Sequence, residues 1–90
     1  MKLSEEMFRL SNDYVARRIE LRALASWTND HLVELAELPD EDPGGALWGF
    51  VQIRIYDMDH GLPEDELRKE LRSYLSEHRL EHEPQRRATG

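Results

Sequence analysis

Asp57-Met58-Asp59-His60 is the stretch whose residue types come nearest to chemistry, because two carboxylates and an imidazole packed before Gly61 could in principle hold a cation. The spacing argues otherwise. A calcium loop of the EF-hand kind that started at Asp57 would keep its acid at Asp59, but Leu62 stands where the loop needs glycine and Arg68 where it needs its bidentate glutamate. A transition metal fares no better: these three side chains are too close in sequence to wrap one ion. The only histidines at helical spacing, His78 and His82, fall at the end of the last predicted helix. The cluster therefore reads as a helix terminus with a turn, and no metal ligand is predicted.

Covalent catalysis lacks its parts as well. Ser4, Ser11, Ser26, Ser73 and Ser76 have no nucleophile-elbow sequence around them, and Gly44-Gly45 has neither the lysine nor the preceding strand of a phosphate loop. No catalytic residue and no cofactor is predicted, and the chain is not read as an enzyme. Trp27 and Trp48 could anchor an interface, since tryptophan is enriched at binding hot spots, but large aromatics at helical spacing ordinarily fill core volume.

Composition bounds the remaining functions. Ninety residues make one small domain, and the absence of cysteine removes disulfides, thiolate nucleophiles and sulfur-ligated metals, which fits a reducing cytoplasm. Glu5 and Glu6 interrupt what would be the apolar stretch of a leader peptide, and the longest apolar run, 45–51, is far too short to span a bilayer; a cytoplasmic location is expected. Nineteen acidic against twelve basic residues give a formal charge of −7, which opposes nucleic-acid binding and favours a basic partner.

The elements that must position any site read as helices. Glu5 and Glu6 suit a first turn with Ser4 as N-cap, and Met7, Leu10, Tyr14 and Val15 recur at helical spacing over 5–17. A break near Arg18 to Glu20 is expected, although one continuous helix through it is an alternative, and a second helix covers 21–38. Pro39 ends it; Asp42 caps a third helix, 43–59, with Pro43 at its first position. Val51, Ile53 and Ile55 also alternate as a strand would, but a lone strand has nothing to pair with, and Gly61 follows as a left-handed terminator. Pro63 opens a fourth helix, 64–80, with Leu62 stapled onto Leu67 and with Glu66, Arg68, Glu70 and Arg72 on exposed sides. Residues 81–90 read as a disordered tail, and no internal repeat is evident.

The expectation is an all-α fold, a small antiparallel four-helix bundle of up-down topology. Its core would be Met7, Leu10, Tyr14, Leu21, Leu24, Leu32, Leu35, Leu47, Phe50, Val51, Ile55, Met58, Leu67, Leu71 and Leu75. Phe8, Trp27, Trp48 and Ile53 are left over, which suggests a homodimer. Asp30, Glu34, Glu37, Asp40, Glu41 and Asp42 crowd thirteen residues free of Lys and Arg. Glu34, Glu37, Asp40 and Glu41 are the expected contacts for a basic protein; Asp57 and Asp59 would lie at the other end of the third helix.

Two segments, "FRLSNDYVARRIELRALASW" and "DMDHGLPEDELRKELRSYL", carry a resemblance to the colicin D-type bacteriocin immunity proteins and the short bacterial helical proteins around them. It spans about residues 7–80, while 39–50 does not align, so no individual inhibitory residue carries over. The resemblance implies a four-helix bundle that binds and blocks a toxin's basic nuclease domain, with acids placed where RNA would lie. A structural or regulatory subunit unconnected to toxins is the other class that the sequence supports.

Overall fold

A computed structural model describes residues 2–78, and all its regular structure is helical: α1 (Leu3–Val15), α2 (Leu21–Asp30), α3 (Leu32–Ala36), α4 (Pro43–Asp59) and α5 (Glu64–Glu77). The expected disordered tail lies outside the described residues. No helix among those described is long and apolar enough to cross a membrane.

The ends of the helices explain the order. Ser4 was expected to cap α1, but the helix starts two residues earlier, at Leu3 with Lys2 at the cap, and Ser4 is a packing residue inside the first turn. At the other end Arg17 adopts φ 66°, its N–H bonds to the Tyr14 carbonyl (2.9 Å) and that of Arg18 to the Asp13 carbonyl (2.8 Å). This is a Schellman cap built on arginine where glycine is usual, and it settles the break in favour of two helices. Gly61, at φ 114°, ends α4 in the same way: Gly61 N–H bonds to Met58 O (3.1 Å) and Leu62 N–H to Asp57 O (3.0 Å). Asp42 caps α4 as expected, accepting from the N–H groups of Gly44 (2.9 Å) and Gly45 (3.1 Å), with Pro43 at the first helical position.

The helix expected over 21–38 is broken at His31 into α2 and α3. A short pattern, aromatic-x-x-acid-His, recurs as Trp27 to His31, Tyr56 to His60 and Tyr74 to His78, and each histidine is the C-cap of its helix. In each, ring Nδ1 lies 2.9–3.1 Å from the carbonyl four residues back, and the imidazole packs on the aromatic ring at 4.2–4.6 Å between centroids. A carbonyl can only accept, so Nδ1 carries the proton. The Asp57-Met58-Asp59-His60 cluster is thus one copy of a recurring helix stop, and no group of three potential ligands close enough to hold a metal exists among the described residues.

The core is built on α1. Met7, Phe8, Tyr14, Leu24, Leu35, Leu47, Val51, Leu67, Leu71 and Leu75 are buried, with Leu10, Leu21, Phe50, Ile55 and Met58 packed around them. Phe8 is therefore core, and Trp27 and Trp48 pack partly buried against it; of the residues expected to be left over, Ile53 alone stays largely exposed. Leu32 was expected inside but is 44% exposed, because the break at His31 makes it the first residue of a five-residue helix that turns only Leu35 inward. Ser4 of α1 abuts Gly44 of α4, and Tyr14 of α1 reaches Glu64 of α5. Hence α1 and α4 begin at the same end and α5 runs back alongside both, its Glu70 paired with Arg54 (2.7 Å) and its Tyr74 stacked on Phe50 (4.6 Å).

Two glycines of α4 test this packing in opposite directions. A methyl group on Gly44 would lie 2.5 Å from Ser4 Cα and 2.6 Å from Ser4 Cβ, so α1 and α4 would have to separate, whereas one on Gly49 meets nothing within 4 Å. Gly44→Ala is expected to cost about 2–3 kcal/mol by overpacking, and Gly49→Ala to gain about 0.5–1 kcal/mol of helix propensity, both read by urea titration. Leu71→Ala, which empties a fully buried position, should cost about 2–5 kcal/mol in the same measurement.

Candidate functional site

Residues 23–53 contain no lysine or arginine. All the ion pairs among the described residues lie outside that segment, on Arg9, Arg18, Arg22, Arg54 and Arg68. The acids within it are uncompensated. Glu34, Glu37, Asp40 and Glu41 are all exposed, and none of their carboxylates makes an ion pair or hydrogen bond among the described residues.

The backbone that carries them is held. Leu35 is buried, Leu38 packs partly buried over Gly45, and the turn closes through Leu38 N–H to Leu35 O (3.2 Å) and Asp42 N–H to Pro39 O (2.9 Å). Asp42 spends its carboxylate on the α4 cap, so it belongs to the scaffold of the strip. Leu32 and Val33, 44% and 67% exposed, set two apolar side chains beside Glu34. Exposed acids next to a small apolar patch can recognise a basic, partly apolar surface. Asp30 is exposed and unpaired as well, whereas Asp57 is tied to Arg54 at 3.0 Å, and that guanidinium also holds Glu70. Asp57 therefore helps clamp α4 to α5 and does not extend the strip.

A second cluster, at the other end of α1, escaped sequence reasoning. Tyr14, its ring fully buried, donates its hydroxyl to Glu64 (2.8 Å), and Arg68 lies over the Tyr14 ring at 4.6 Å while reaching Glu64 at 3.4 Å. Arg68, expected on an exposed side, is only 12% exposed, because its guanidinium lies over the Tyr14 ring and against Glu64. The helical stripes place Tyr14 inside, but a contact across fifty residues leaves no local signal.

No family model, curated protein or solved structure matches the chain.

Burial, and then the Glu64 carboxylate that accepts its proton, push the Tyr14 hydroxyl well above its ordinary value of 10.0. The folded state thus holds this proton after the unfolded chain has released it. Its contribution to stability is complete below about pH 10 and is lost as pH rises beyond it. Tyr74 shares the direction through burial alone. Tyr14→Phe should cost about 1 kcal/mol at neutral pH. It should also flatten the decline of melting temperature between about pH 10 and 12, leaving only the part due to Tyr74.

Proposed function

We propose that this chain is a small acidic protein-binding module whose contact surface is α3 and the turn after it, where Glu34, Glu37, Asp40 and Glu41 meet a basic protein partner. The observation that carries this is the set of four exposed carboxylates without a cation on a backbone fixed by Leu35, Leu38 and the Asp42 cap. Exposed like charges held close together gain nothing for the fold, and they accelerate encounter with a surface of opposite sign.

An immunity-type inhibitor of a basic toxin nuclease is the specific form that the resemblance favours. On this reading α2 and α3 together are the second, broken rod of an up-down four-helix bundle in the cytoplasm, and the partner's nucleic-acid groove is the surface covered. No catalytic residue, metal or cofactor has a part in it. A homodimeric structural or regulatory subunit is the second reading, favoured by Ile53 and Tyr56, 56% and 62% exposed three residues apart on α4.

Affinity purification from the native host, together with the neighbouring genes, identifies the partner. Glu37→Lys with Glu41→Lys should leave the melting temperature within a degree or two of the parent, since neither side chain is buried or paired. In stopped-flow mixing with that partner the double variant should associate about tenfold more slowly and with a weaker dependence on salt. Unchanged association would reduce the strip to a solvated face.

A further inference from the structure

The end of the molecule opposite the acidic strip holds a local cluster of arginines. The α1–α2 turn and the first turns of α5 enclose an open cleft of about 550 Å³ whose charged lining is Arg17, Arg18, Arg22 and Arg68 against Glu20 and Glu64. Four guanidinium groups face two carboxylates in a chain whose formal charge is −7.

Arg17, Arg18 and Arg22 are weakly used by the fold, while Arg68 also stacks on Tyr14. Arg18 stands 3.5 Å from Asp13, Arg22 3.3 Å from Glu20 and Arg68 3.4 Å from Glu64. All exceed the roughly 2.7–2.9 Å of a good charge-assisted hydrogen bond. Arg17 makes no ion pair among the described residues, and Arg68 Nε is buried without a hydrogen-bond partner. The N-terminus of α2 borders the same cleft, and its cap residue Glu20 directs no side-chain bond to the free N–H groups.

We infer that this cleft binds the phosphoryl group of a small phosphorylated molecule. A phosphoryl dianion matches the net charge of the lining, and its three oxygens can accept short bonds from several guanidinium groups and from the α2 N-terminus together. The volume falls within the roughly 300–1,000 Å³ of small-molecule sites and leaves room for the rest of such a ligand beside Ile19 and Leu21, which also line it. An extended polyanion is disfavoured because the acids of the strip and the overall charge repel it.

The test is a titration of amide spectra of the full chain at low ionic strength with adenosine monophosphate, adenosine, sulfate and a short RNA. Adenosine monophosphate should shift the amides of 17–22 and 64–68 saturably, while adenosine should not, and sulfate should compete only weakly. Arg17→Gly with Arg22→Gln should weaken binding about tenfold or more, as expected for loss of two phosphate-directed charges. This variant keeps its fold: glycine suits φ 66°, and the Arg22 side chain is 86% exposed. Lys69→Gln, which removes one positive charge outside the cleft, should leave binding unchanged. Absence of a saturable shift overturns the assignment; so does an equal response to sulfate, tighter binding of the RNA, or a double variant that binds as the parent does.

Discussion

Burial of one helix against two later ones is the constraint on which the structure depends. Met7, Phe8, Ser11 and Tyr14 all lie on buried faces of α1, and the surfaces that bury them come from α4 and α5, some forty to sixty residues further along. Ordering so long a loop costs entropy before any contact returns it, so the two ends of α1 need specific attachments. At one end Gly44 lets the backbones of α1 and α4 touch at Ser4, and at the other the Tyr14 hydroxyl, the Glu64 carboxylate and the Arg68 guanidinium join α1 to α5. Neither attachment is a large hydrophobic contact. Each fixes where α1 sits along its neighbours, which apolar side chains alone do less sharply.

That placement separates the acidic strip from the arginines of the α1–α2 turn. With α1 and α4 starting at one end, the turn 37–42 and its acids lie there, and the turn 16–20 with its arginines lies at the other, about a helix length of 20 Å away for the thirteen residues of α1. Between the ends, carboxylates and guanidinium groups are largely paired, on α1 through Arg9 with Glu6 and Asp13 and between α4 and α5 through Arg54. The unpaired acids of the strip are thereby held about a helix length from the arginines of the α1–α2 turn, while Asp59 and the acidic first turn of α5 share the arginine end.

Helix ends rather than helix interiors distinguish this chain from a generic amphipathic bundle. Three helices stop on a histidine that folds back on an aromatic residue one turn earlier, and two stop on left-handed residues, α4 using both devices at once through His60 and Gly61. A chain of this size cannot depend on a large core to set the lengths of its helices. Local stop signals do so instead, and they explain why Asp57-Met58-Asp59-His60 resembles a ligand set while serving as a terminus.

Local signals were accordingly legible in the sequence. Helical spacing, Asp42-Pro43, Gly61 and Pro63 located four helix boundaries, and the absence of basic residues around 30–42 marked the acidic strip, because each of these depends on neighbours within a turn or two. Tertiary structure alone decided the rest. It broke 21–38 at His31 and so left Leu32 outside; it drew Phe8 into the core; it covered Arg68 with the Tyr14 ring; and it brought the arginines of the α1–α2 turn to the start of α5. The reason is common to all four: each depends on a surface supplied by a distant segment, and a helical period shows which residues share a face without showing what that face will meet.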